Sequence, residues 1–96
     1  MKQSSEDAVR AELLRARAKY PNFHSSHEGH SLIREELEEL WDLVKEDHST
    51  RPSEFYVRDD KSLRAYRFHM RAECVQIAAM AIRFIEDLCE ENEDAG

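Results

Sequence analysis

Ninety-six residues suffice for one domain and not for two, and a chain this short buries a modest share of its surface, so self-association is expected. Charged residues make up 36% and apolar ones 41%, with only two Gly and two Pro; this suits long amphipathic helices and gives no support to a many-turned β fold. A net charge of -7 argues against non-specific nucleic-acid binding, which needs clustered Lys and Arg, and is compatible with divalent cations and the anions they carry.

The N-terminal stretch MKQSSEDAVRAELL has no uninterrupted apolar run and is not expected to be a signal peptide. A first helix is predicted over about 5–19. Ser5 is its candidate N-cap, Glu6 and Asp7 complement the dipole of the first turn, and Tyr20-Pro21 ends it. Its apolar stripe is thin: Val9, Leu13, Leu14 and Ala16. The connection PNFHSSHEGH carries His24, His27 and His30 at every third position. Helical HxxH can bind zinc, but no Cys accompanies these histidines, so capping and loop roles are favoured.

A second helix is predicted from Ser26 or Ser31 to about His48, with its body over 27–48. Leu32, Ile33, Leu37, Leu40, Trp41 and Val44 recur at helical period. Residues 49–60, with Pro52, read as a loop that has a short turn near Ser53. The last helix is predicted over about 61–90. Val75, Ile77, Ala78, Met80, Ala81, Ile82, Ile85 and Leu88 make it apolar around much of its circumference, as befits the centre of a bundle. Gln76 and Arg83 break its apolar run, so no membrane span is expected. Cys74 and Cys89 lie roughly 22 Å apart along that helix, too far for an intrachain bridge; they read as reduced thiols in a cytoplasmic protein. The tail ENEDAG reads as frayed. The expected fold is all-α: an antiparallel hairpin of the two long helices with the shorter one packed across it, completed into a bundle by homo-oligomerisation.

The second helix carries Glu35-Glu36-Leu37-Glu38-Glu39-Leu40-Trp41-Asp42. On a helical wheel the apolar residues centre between Leu37 and Leu40. Glu38 and Asp42 point to solvent, Glu36 falls inside the apolar arc, Glu39 sits at its edge, and Glu35 lies one step further out. A carboxylate aimed at a core is costly unless it is paired or metal-bound. Carboxylates at i and i+3 converge over one turn and suit Mg²⁺, which keeps waters and leaves positions for phosphates. On the last helix Glu73 is the candidate partner. It shares a face with His69, Gln76 and Met80. Acidic runs of this kind are also common on solvated faces, where each acid pairs with a nearby Lys or Arg.

The run Glu35-Glu36-x-x-Glu39, followed on the next helix by Glu73-Cys74-Val75-Gln76, resembles the MazG-like all-α nucleotide pyrophosphohydrolase superfamily, whose pattern is EExxE then ExxD. The resemblance spans roughly His27 to Leu88, and Gln76 stands where that pattern has Asp. It implies an Mg²⁺-dependent enzyme, with Mn²⁺ as a substitute, that cleaves a nucleoside triphosphate to monophosphate and pyrophosphate. Glu36, Glu39 and Glu73 would bind metal, and Glu35 would bind metal or position the attacking water. Dimers or tetramers are also implied. The second reading is a catalytically inactive helical dimer that binds a protein or a nucleotide.

Arg64, Arg67 and Arg71 form a basic stripe with Lys61, readable as a solvated face or as a phosphate clamp. His69 and Gln76 are candidate substrate contacts. Trp41 and Phe84 read as core or interface aromatics. No Gly-rich phosphate loop and no Ser/His/Asp or Cys/His arrangement stands out, so covalent catalysis is not expected.

Overall fold

A computed structural model of the chain describes residues 3–46 and 60–90. The loop expected over 49–60, all but its last residue, and the tail 91–96 fall outside the described residues. The described residues contain α1 (Ser5–Lys19), α2 (Ser26–Glu46), α3 (Asp60–Phe84) and a terminal π turn (Ile85–Cys89), with no strand among them.

α1 and α2 begin at Ser5 and Ser26, within the expected bounds, and in each the serine just before the helix is the cap. Ser4, not Ser5, caps α1: its backbone is extended and its hydroxyl accepts from the Asp7 N–H at 3.1 Å. Ser25 acts in the same way for α2, accepting from the Glu28 N–H at 3.1 Å. Both satisfy donors that the first turn leaves open. Tyr20 ends α1 in an extended conformation, as a residue preceding proline must, and its N–H still closes on the Ala16 carbonyl at 2.8 Å.

The last element does not run on as a regular α-helix. After Phe84 the backbone widens, and the Glu90 N–H reaches the Ile85 carbonyl at 2.9 Å, an i→i+5 bond.

α3 is the central element, and both other helices pack on it. Gly29 near the start of α2 meets Phe84 near the end of α3, while Glu39 further along α2 meets Glu73. The two helices are therefore antiparallel. α1 runs alongside α3 in the same direction, with Arg71 near Gln3 and Asp87 near Arg17, rather than across the pair as expected from sequence. Small residues set the separation: Ala8 and Ala16 of α1 and Ala79 of α3 are buried together with Phe23. A Cβ on Gly29 would stand 2.6 Å from Phe84 and 3.3 Å from Phe23, so only glycine permits the approach of α2 at this end.

This core is thin. Gly29, Leu32, Ile33, Glu36, Leu40 and Leu43 form the covered side of α2, while Leu37 (48% exposed), Trp41 (58%) and Val44 (41%) remain open one step around the helix. The wheel placed the covered direction between Leu37 and Leu40; the centre of the packed face is nearer Glu36. The apolar arc of α2 is wider than one partner helix can cover. Leu14, Phe68 and Ile85 are also open.

Candidate carboxylate site

Helical spacing carries Glu36 and Glu39 onto adjacent turns of α2, and the antiparallel packing brings Glu73 of α3 opposite them. One carboxylate oxygen from each lies within 4.8 Å of the others, and among the described residues these are the only acids, histidines or cysteines that converge in this way. Glu36 and Glu73 are half-buried and Glu39 is exposed. Glu36 Oε2 and Glu73 Oε2 are shielded from water and have no hydrogen-bond partner. Ionised carboxylates accept and cannot donate, so either a proton kept by one carboxyl and shared with the other, or a cation, must lie between them. A pair of like charges about 4–5 Å apart repels by roughly 3 kcal/mol at an effective dielectric near 20. The Glu36 carboxyl responds by holding its proton. Burial first, then hydrogen bonding to Glu73 and the negative charge of Glu39 and Glu73, push it up to about 8.

The other acids of the run have ordinary surface roles. Glu38 pairs with Arg34 at 3.2 Å and Asp42 with Lys45 at 3.1 Å, both exposed. Glu35 is exposed at the rim of a cavity of about 340 Å³. That cavity is lined by Glu36, Gln76, Leu32, Phe23, Met80 and Arg83, among others. A second, more open cavity of about 310 Å³ is lined by Glu39, Glu73, His69, Asp42, Leu43 and Glu46. The triad thus borders two spaces, the first through Glu36 and the second through Glu39 and Glu73.

Of the residues singled out as substrate contacts, Gln76 lines the first cavity and His69 the second, with its ring edge-on to Phe68 at 5.5 Å. Arg71 is turned toward α1, donating to the Gln3 carbonyl at 3.5 Å, so it is not brought to the triad. Arg64 and Arg67 are exposed on α3 and line neither cavity; the side chain of Lys61 falls outside the described residues. His24 meets Glu28 at 3.3 Å, and the exposed His27 and His30 line neither cavity. Cys74 and Cys89 are free and exposed.

Two residues that the sequence reading did not place in a role turn out to organise the site's far wall. Asp87, whose side chain is 4% exposed, accepts from Arg17 Nη1 at 2.7 Å and from the Phe23 N–H at 2.9 Å, while Arg17 Nη2 donates to Glu86 at 2.9 Å. Arg83, also 4% exposed, donates to the Pro21 carbonyl at 2.9 Å and stacks over the Phe23 ring at 4.4 Å. Together they pin the connection between α1 and α2 onto the end of α3, and so hold Phe23 in the cavity wall. The π turn carries Asp87 into that position. The partners lie 62 to 70 residues apart in sequence, beyond the reach of any local pattern.

Comparison of the chain with protein-family models, curated proteins and solved structures finds no match. The case for a function therefore rests on the geometry of the triad and the two cavities. Among the described residues no helix is long and apolar enough to cross a membrane.

Proposed function

We propose that Glu36, Glu39 and Glu73 hold a Mg²⁺ ion, with Mn²⁺ as a substitute, and that the chain is a nucleoside triphosphate pyrophosphohydrolase yielding nucleoside monophosphate and pyrophosphate. The observation that carries this reading is the pair of water-shielded, unpartnered carboxylate oxygens on Glu36 and Glu73, aligned with Glu39. Hard oxygen donors from two helices, with space beside them, fit a cation that keeps open positions for phosphate. The resemblance of Glu35-Glu36-x-x-Glu39 and Glu73 to the MazG-like pattern agrees with that donor set.

When bound, the metal would neutralise phosphate charge and make an attacking water more acidic. The chain's own residues then divide the remaining work. Glu35, exposed and next to Glu36 on α2, would help hold the metal or position the attacking water. Glu39, Asp42 and Glu46 make the second cavity acidic, so a polyphosphate enters it only with its cation. His69 stands in that space to donate to a phosphate oxygen. Gln76 supplies a neutral contact where a further acid would add a ligand. The open stripe of Leu37, Trp41 and Val44 supports a homodimer or homotetramer that completes the bundle. Free Cys74 and Cys89 agree with a cytoplasmic setting for this activity.

Pyrophosphate release from a panel of NTPs and dNTPs tests the proposal. Release is expected with Mg²⁺ and lost on chelation and in Glu73→Gln. Gln76→Asp should tighten metal binding; unchanged affinity would place that residue away from the ion. The same stripe, together with the neutral Gln76, favours the second reading if metal binds without turnover: a non-catalytic helical dimer that captures a nucleotide or protein.

A further inference from the structure

The 340 Å³ cavity beside the triad is lined by a charge that no described residue compensates with an ion pair. Arg83 is 4% exposed, yet among the described residues no carboxylate forms an ion pair with it; its hydrogen bond there goes to the Pro21 carbonyl, and its Nε is buried without a partner. A guanidinium is charged at any ordinary pH, so its burial without a counter-charge is costly. The stacking on Phe23 offsets part of that cost and fixes the plane of the group. The remaining donor capacity calls for an acceptor.

A free phosphate does not fit the rest of the lining. Glu12, Glu28, Glu35 and Glu36 face the same space, and the other cation there, Arg15, is already bonded to Glu12 at 2.8 and 2.5 Å. Phe23, Leu32, Ala79 and Met80 make much of the remaining wall apolar, and Gln76 adds a neutral polar group. Such a space suits a flat, neutral group with a carbonyl acceptor for Arg83 and an adjacent N–H donor for a glutamate. We infer that this cavity receives the base of the substrate and that Arg83 selects bases carrying a ring carbonyl beside an N–H, namely uracil, thymine, hypoxanthine and guanine, against adenine. The inference deepens the nucleotide reading and rests on it for the ligand class. The base would sit in the cavity that Glu36 and Gln76 line, and the phosphates in the one that Glu39 and Glu73 line.

Inosine and adenosine differ at the decisive position, since C6 carries a carbonyl beside N–H in one and an amine beside a bare nitrogen in the other. Ligand-observed NMR titration of the full chain with inosine, uridine and adenosine is the test. Inosine and uridine are expected to bind at least roughly ten-fold more tightly than adenosine, because a buried donor left unpaired penalises the wrong ligand. Arg83→Met should erase that preference. Because Arg83 is buried and its replacement can unfold the chain, Leu32→Trp provides a second variant that fills the cavity from a half-exposed position and should abolish binding of both favoured nucleosides. Equal binding of adenosine and inosine, undiminished binding in Leu32→Trp, or no nucleoside binding at all overturns the inference. A Mg²⁺ titration of the same sample separates the two proposals. Metal binding without nucleoside binding overturns the base cavity alone. Selective nucleoside binding without metal binding overturns the metal reading and leaves the base cavity standing.

Discussion

Two acidic clusters along α3 and the π turn that follows it bury charge in opposite ways. At the end of α3, Asp87 is enclosed with Arg17 on one side and the Phe23 N–H on the other, so its carboxylate is satisfied by the chain itself. About four turns earlier, Glu73 meets Glu36 and Glu39, and shielded oxygens stand without a donor. Both clusters join separate elements through acids. The first is a clamp that stabilises the fold; the second costs stability in the absence of a cation. Residues that weaken a fold on their own account are often retained for binding, and the contrast directs attention to the triad.

Substitutions should separate the two clusters by the sign of their effect. Asp87→Ala strips the clamp and leaves Arg17 and the Phe23 amide unpaired. A loss of about 3 kcal/mol is expected in urea unfolding, a large part of what so small a domain possesses. Gly29→Ala tests the close approach that shapes the cavity wall. Its Cβ would stand 2.6 Å from Phe84, and displacing that ring should cost about 1–3 kcal/mol. In the triad the sign reverses: without metal, Glu36→Gln should stabilise the chain at pH 8 while reducing metal-dependent pyrophosphate release by about 100-fold. At the small end, Arg34→Ala breaks an exposed pair with Glu38 and should change stability by less than about 0.5 kcal/mol.

Acidity offers a further handle. The folded-state Glu36 carboxyl is raised from 4.5 to about 8, so the folded chain holds a proton that the unfolded chain releases. Stability from this group is full below about 4.5, declines as pH rises, and is lost above about 8. Melting temperature in the presence of a chelator should therefore fall between pH 5 and pH 8, and Glu36→Gln should flatten the slope. Mg²⁺ should oppose the fall, because it favours the ionised carboxylate.

Local features of the chain were legible where a local rule governs them. The bounds of α1 followed from serines and acids at one end and Tyr20-Pro21 at the other. The wheel separated Glu38 and Asp42 from Glu36 because direction on a helix depends only on spacing. It does not say how much of the apolar arc a neighbour covers, and so it centres the face between Leu37 and Leu40, where α3 leaves Leu37 open. The clamp was invisible for a different reason. Arg17, Phe23 and Asp87 meet only after the chain has folded back through α2, and the π turn that presents Asp87 has no periodic pattern of its own. Arg83 interrupted an apolar run, which was visible, but its stacking on Phe23 was not.

The central claim is that the triad is a cation site, and the most direct measurement is the melting temperature of the wild-type chain and of Glu36→Gln as Mg²⁺ is added at pH 8. A site that binds only the folded chain stabilises it by about 2.7 kcal/mol at a hundred-fold excess over the dissociation constant. For a domain of this size that corresponds to a rise of roughly 10 °C or more. The wild-type curve should rise and saturate while that of Glu36→Gln stays nearly flat. A wild-type chain that shows no shift at millimolar Mg²⁺, or a variant that shifts equally, would contradict the assignment of these carboxylates to a metal.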